Sequence, residues 1–156
     1  MITNTLLGEV HLYSALLATL FGTLILIWEK GTKKHKQIGY AYTVSMLVVN
    51  ITALMIYRLF GHFGIFHYAA VISLATLLAG IIPIMIKRTN KTMMHHISWM
   101  YWSVMGLYAA FVSETLTRIP DKPFYTMLFI AVGITMGAAN IGFRKYIHQW
   151  KNKFTN

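Results

Sequence analysis

Histidine occurs seven times in this chain of 156 residues, and four of the positions repeat at matching places along it. One histidine stands near the beginning of each of four successive apolar segments, at His11, His35, His67 and either His95 or His96. Neutral imidazole is the commonest metal ligand in proteins, and ionisable side chains in membrane segments are functional by default. The pattern therefore predicts a ligand-binding role, with a general tolerance of helix ends for histidine as the alternative.

The two remaining histidines have surroundings that predict a surface position. His148 stands in the basic C-terminal tail, and His62 stands in the loop FGHFGIFH. We expect His148 to be solvated and His62 to lie at the membrane interface.

The elements that must position these histidines are membrane helices. Hydrophobic residues make up 56% of the chain and charged residues 12%, whereas a soluble domain carries about 25% charge. The apolar runs approach the ~20 residues that cross a bilayer. We therefore predict an all-α integral membrane protein, a single bundle over residues 1–156 with spans at 6–28, 34–58, 65–86, 94–115 and 123–143. The chain has no cysteine, which excludes disulfides, thiolate metal sites and Fe–S clusters.

Basic residues are concentrated in alternate loops. Loop 29–37, loop 87–95 and the C-terminal tail hold eleven of the 14 lysines and arginines, and the others are Arg58, Arg118 and Lys122. Because cytoplasmic loops are rich in basic residues, the N-terminus is predicted outside and the C-terminus in the cytoplasm of a multi-pass protein of the cell membrane. The short loops predict antiparallel neighbours, a four-helix up-down core with a fifth helix added.

The alternating direction of the helices sorts the histidines into two levels. His11 and His67 would begin their helices near the outer face, and His35 and His96 theirs near the inner face. Each level then holds one pair from non-consecutive helices.

Local sequence adds two expectations about these helices. Thr32 is the predicted N-cap of the second helix, and Asn90 or Thr92 that of the fourth, because their side-chain oxygens accept from free amides. Small side chains follow three of the histidines at helical spacing. They could leave room for a flat macrocycle, or they could allow close helix packing. They are Ser14, Ala15, Ala18 and Gly22 after His11, Gly39 (then Tyr42) after His35, and Ser103, Gly106 and Ala110 after His96.

The first four helices resemble a family of bacterial membrane proteins known as domain of unknown function 2306. The pieces that carry the resemblance are HLYSALLATLFG, KGTKKHKQIGYAY, FHYAAVISL and HISWMYWS, with ETLTRIP after the fourth helix. The pattern His-x-x-Trp-Met in this resemblance selects His96 rather than His95.

The architecture is also similar to cytochromes of the b-561 type, whose four-helix core carries one histidine near the start of each helix and two b haems. The segment HKQIG looks like their haem-ligating segments. This resemblance implies two haems b per chain, with His11 and His67 on the outer iron and His35 and His96 on the inner one. It implies transmembrane electron transfer, and a membrane oxidoreductase is one class that it leaves open.

Other basic residues would then serve the haem propionates. Lys33, Lys36 and Lys91 are available at the inner level, and Arg58 or Arg118 at the outer one.

A zinc site is the first alternative. Glu9, His11, His62, His67 and Glu114 are all predicted near the outer face, and catalytic zinc takes three protein ligands and a water. Such a site would indicate a membrane hydrolase or a metal-handling protein. The sequence has no His-x-x-x-His or His-Glu-x-x-His motif to support it, and His35 and His96 would remain without a role.

A transport or structural bundle without a cofactor is the second alternative. The expected partners are membrane lipid, with a quinone or small redox donor in the cytochrome hypothesis, and a second copy of the chain in a homodimer. The net charge of +10 would suggest nucleic acid in a soluble protein, but its distribution here follows membrane topology and predicts no nucleic-acid partner.

Overall fold

The computed structural model describes residues 5–57, 61–119 and 123–155, and helices account for most of them. The elements are α1 (Leu6–Ile27), α2 (Lys33–Met55), α3 (Ile65–Ile86), α4 (Asn90–Leu116) and α5 (Phe124–Thr155). No strand occurs within those three ranges. The predicted all-α class and its five helices are confirmed.

The end of α5 is the largest departure from the predicted helix bounds. It was expected near residue 143, but α5 is 32 residues long and continues to Thr155. The segment after Gly142 contains neither glycine nor proline, and its basic side chains complement the negative end of the helix dipole. Residues expected in a tail are therefore part of the helix.

The threonine caps explain where the helices begin. Thr32 is the N-cap of α2, as predicted, and its hydroxyl accepts from the backbone N–H of His35. The prediction for α4 is wrong, because its N-cap is Thr89 and Asn90 is its first helical residue. Thr92 contributes from the third position, where its hydroxyl accepts from the Thr89 N–H and completes a capping box.

Four helices are long and apolar enough to cross a membrane, namely α1, α2, α3 and the Phe124–Trp150 part of α5. Large apolar side chains on them are exposed in the isolated chain, such as Ile72 and Ile141, as surfaces that face lipid require. The more polar α4, with two histidines, three serines and Glu114 among its 27 residues, is not one of the four. Its crossing of the membrane stays a prediction.

The chain divides into two compact units, residues 1–77 and 78–156, with the boundary inside α3. In the first unit α1 packs against α2. The α1 face buries Gly8, Ser14, Ala18 and Gly22, which confirms the predicted stripe of small residues. On α2 the side chain of Tyr42 is fully buried. Small residues on α1 therefore allow it to lie close to another helix.

In the second unit α4 packs against α5. The Tyr101 hydroxyl donates to the carbonyl oxygen of Ala139 at 2.7 Å. A Cβ atom at Gly142 would lie 2.8 Å from that hydroxyl oxygen, so glycine is needed where α5 passes it. The Tyr101 ring also contacts Phe143, with ring centroids 5.4 Å apart.

The predicted small stripe of α4 is only partly right. Ser103 is buried, but Ala110 is exposed and Gly106 faces open space. The buried face includes Met100 and Tyr101 instead. The bulky contact of Tyr101 with α5 therefore sets the rotation of α4, and the small residues do not.

Candidate functional site

His11 is the sixth residue of α1, and its ring makes a hydrogen bond to α2. Its Nδ1 lies 2.9 Å from the hydroxyl oxygen of Thr52. That hydroxyl gives its single proton to a backbone carbonyl of its own helix, with Val48 O at 2.7 Å. With the hydroxyl proton assigned to that carbonyl, Thr52 accepts from His11 and the ring proton is placed on Nδ1. The neutral ring then has its lone pair on Nε2.

The ring of His96, in the second unit, also has its proton on Nδ1 and its lone pair on Nε2. It is the seventh residue of α4, and its Nδ1 lies 2.8 Å from the carbonyl oxygen of Gly80 in α3. A carbonyl only accepts, so Nδ1 carries the proton and Nε2 the lone pair. A Cβ atom at Gly80 would lie 3.0 Å from Sδ of Met100 and 3.3 Å from Cβ of Trp99. The absence of a side chain at Gly80 lets α4 come this close.

His95, the neighbour of His96, has different surroundings. It is exposed, its ring centroid is 5.6 Å from that of Trp99, and it lines an open groove of about 220 Å³ with Pro83, Lys91 and Thr92. His96 is half-buried and bonded to another helix. These surroundings agree with the preference for His96, whose ligand role stays a prediction.

His67 differs from both His11 and His96 in its hydrogen bonding. It is the third residue of α3 and is 4% exposed. Its Nδ1 accepts from the backbone N–H of Gly64 at 3.0 Å, so the proton of the neutral ring must be on Nε2. Tyr57 and Phe63 pack against the ring, with centroid distances of 4.5 Å and 4.7 Å. Nε2 is buried and has no hydrogen-bond partner among the residues that the structure describes.

His35 is half-buried, whereas Lys33, Lys34 and Lys36 around it are exposed. It is the third residue of α2, and its Nδ1 atom is buried. His35 is therefore less exposed than the lysines around it, and its role in a site stays a prediction. It belongs to the first unit and His96 to the second, and their pairing stays a prediction.

The residues of the zinc alternative are used or placed differently. Glu9 and His62 are exposed, and Glu114 forms an ion pair with Arg118 one helical turn away. Within residues 5–57, 61–119 and 123–155, no three His, Cys, Asp or Glu side chains are grouped so that they could hold a metal ion. The predicted zinc ligands are therefore not grouped into a metal site in the described part of the chain.

The same ion pair bears on the outer propionates. Arg118 is already paired with Glu114, and Arg58 and Lys122 lie outside the described residues. At the inner level Lys33, Lys36 and Lys91 are exposed.

The hydrogen bonds test how well each histidine suits haem iron. A metal-bound histidine normally donates its second ring N–H to an oxygen and binds the metal through the other nitrogen. His11 and His96 meet this condition through Nδ1–H. His67 does not, because its Nδ1 lone pair is occupied and its Nε2 carries the proton. Iron at Nε2 would require the ring to leave Gly64.

The sequence reasoning did not identify the partners that fix these rings, Thr52, Gly64 and Gly80. A usable signal existed for Gly64, which stands three residues before His67 at the start of an apolar run. A side chain at the third helical position can serve the N-cap amide. Thr52 and Gly80 are 41 and 16 residues from their histidines, and no local pattern points to them.

Comparison with known proteins gives one match. No curated protein and no solved structure matches the chain. The family model described as "Predicted membrane protein (DUF2306)" matches residues 8–142, which include the whole of α2, α3 and α4, parts of α1 and α5, and the four repeated histidines. The chain therefore belongs to this family of predicted membrane proteins, domain of unknown function 2306.

Proposed function

We propose that this chain is a small membrane cytochrome that binds b-type haem through histidine and passes electrons across the membrane. The observation that carries the proposal is the 2.8 Å hydrogen bond between Nδ1 of His96 and the carbonyl oxygen of Gly80. This bond keeps the lone pair of the ring on Nε2, where a metal would bind. It is the arrangement that metal-binding histidines usually have.

At the inner level His96 would act with His35. The bond to Gly80 holds the ring of His96 at a fixed rotation and makes Nε2 a better electron donor. His35 and His96 would hold the haem iron, and bound haem would supply one-electron exchange. The exposed cations of Lys33, Lys36 and Lys91 suit the propionate groups.

At the outer level the residues do not fit in the same way. His11 has its lone pair on Nε2, but His67 has a proton there. Two haems per chain would require His67 to give up its bond to Gly64 and turn its ring. We therefore expect the inner haem to bind more tightly than the outer one.

The topology and partners belong to the proposal too. With the N-terminus outside, the basic loops after α1 and α3 and the basic end of α5 would lie in the cytoplasm. The electron donor or acceptor would be a quinone or a small redox carrier, and a homodimer is compatible with one haem-binding bundle per chain.

An absorption spectrum of the purified protein tests this function. The protein should be made with added haem precursor and purified in detergent. We expect a Soret band that shifts on reduction and at least one haem per chain in a pyridine haemochrome assay. A colourless protein with stoichiometric zinc would replace the proposal with the zinc alternative, and a colourless protein without metal would favour the cofactor-free bundle.

A further inference from the structure

The starting point is the buried Nε2–H of His67. The Gly64 N–H occupies Nδ1 at 3.0 Å, which fixes the proton on Nε2. That nitrogen is buried, and no acceptor for it occurs in the described ranges. Native proteins rarely bury a donor without an acceptor. An oxygen acceptor that these residues do not supply would satisfy this N–H.

The surroundings of the ring limit what that oxygen can belong to. Tyr57 and Phe63 pack against the imidazole, and His67 is only two residues inside the apolar helix α3. The ring contacts of His67 that the structure describes are therefore aromatic, and its Nε2–H is a neutral donor. An anion would lose its hydration against these aromatic rings, so a neutral acceptor in an apolar molecule fits best.

We infer that His67 donates Nε2–H to the carbonyl oxygen of a molecule dissolved in the membrane. Two kinds of molecule carry this group, a quinone ring and the acyl ester of a lipid. The inference does not rest on the proposed haem function. It assigns His67 a donor role in place of the ligand role that the four-histidine pattern predicted.

Two substitutions distinguish the role of Nδ1 from the role of Nε2 in the His67 ring. The amide of His67→Asn reaches about as far as Nδ1, so it can accept from Gly64 but cannot replace the Nε2–H donor. The longer His67→Gln can place an N–H near Nε2. We expect His67→Gln to keep the ligand and His67→Asn to bind it about tenfold more weakly, the effect of one lost neutral hydrogen bond.

Nitrogen-15 NMR of histidine-labelled full-length protein is the deciding experiment. The protein is studied in dodecyl maltoside, which has no carbonyl group, with and without decylubiquinone. It is also studied in nanodiscs of ester-linked or ether-linked phosphatidylcholine. The His67 signals are assigned by their loss in His67→Asn, or in His67→Gln if the first variant does not fold.

The inference expects His67 in the Nε2–H form, with that proton moving downfield when the acceptor is present. A shift with decylubiquinone identifies a quinone, and a shift in ester-linked but not ether-linked lipid identifies an acyl carbonyl. Either supports the inference. His11 and His96, whose Nδ1 protons already have acceptors, should not shift. An Nδ1–H form of His67, or an Nε2–H signal unchanged by every addition, overturns it.

Discussion

The start of α3 and the second turn of α4 each hold a histidine at a helix beginning, but the two rings have opposite polarity. At the start of α3, Nδ1 of His67 accepts from the Gly64 amide of the same segment. In α4, Nδ1 of His96 donates to the Gly80 carbonyl of a neighbouring helix. One ring therefore presents an N–H at Nε2, and the other presents a lone pair.

The difference follows from how far each residue is from the helix end. The first turn of a helix has free amides, and a side chain at the third position can reach back to one of them. His67 is at the third position, whereas His96 is at the seventh, where the amides of its own helix are already bonded. His96 must therefore find its partner on another helix, as His11 does with Thr52. His67 and His96, which look equivalent in sequence, thus differ in their position relative to the cap.

The largest expected effect is on haem. His96→Ala should remove the inner haem and its Soret contribution completely, because the axial nitrogen is lost. His35→Ala should give the same loss. His67→Ala and the control His95→Ala should leave the inner haem bound, as measured by haem content per chain. Haem retention in His96→Ala, or its loss in His95→Ala alone, would contradict the ligand assignment.

A smaller effect is expected where α4 approaches Gly80. The methyl group of Gly80→Ala would lie 3.0 Å from Sδ of Met100 and 3.3 Å from Cβ of Trp99. We expect a loss of about 1–3 kcal/mol in unfolding free energy from overpacking, together with a weaker bond from His96. Thermal unfolding in detergent measures the first effect, and nitrogen-15 NMR of His96 the second.

Gly106→Ala is the matched control in α4. Nothing lies within 4 Å of a Cβ atom there. We therefore expect the free energy of unfolding to rise by about 0.5–1 kcal/mol, because alanine has the higher helix propensity. Equal shifts of the melting temperature in both variants would show that the approach of α4 to Gly80 is not tight.

The smallest expected effect is on His11. Thr52→Val keeps the shape of the side chain but removes the acceptor of the His11 proton. We expect the free energy of unfolding to fall by about 0.5–1.5 kcal/mol. We also expect NMR to show a mixture of the two His11 tautomers. In the control Thr43→Val, the lost hydroxyl bonds only to Gly39 of the same helix. If both substitutions cost the same and leave the His11 tautomer unchanged, Thr52 does not orient the ring.

The helices could be predicted from sequence because apolar runs and basic loops mark them directly. The rotation of α4 could not. Its small stripe was read from Ser103, Gly106 and Ala110, whereas the buried face is set by Tyr101, whose hydroxyl reaches Ala139 of α5. A contact with a residue 38 positions away produces no hydrophobic periodicity, so the rotation of α4 cannot be predicted from the sequence.

Which ring nitrogen of each histidine carries the proton could not be predicted from the sequence for a related reason. Whether a histidine serves its own cap or another helix depends on the exact first residue of the helix, and a shift of one or two residues changes the answer. The prediction of Asn90 or Thr92 as the cap of α4, where Thr89 is the cap, is an error of this size. For His67 the bound at Ile65 was predicted correctly, and only the role of Gly64 was missed.

The length of α5 has a mechanical consequence. Its 32 residues form a rod about 48 Å long, whereas the hydrocarbon layer is about 30 Å thick. About 18 Å of the rod must therefore project beyond the hydrocarbon, and Arg144, Lys145 and His148 are exposed near that end. Because the helix is continuous, these charged side chains move together with the membrane-spanning part as one rigid body. A change in tilt of about 20° would swing the tip sideways by about 6 Å, so the thickness of the surrounding bilayer determines where the basic groups are presented.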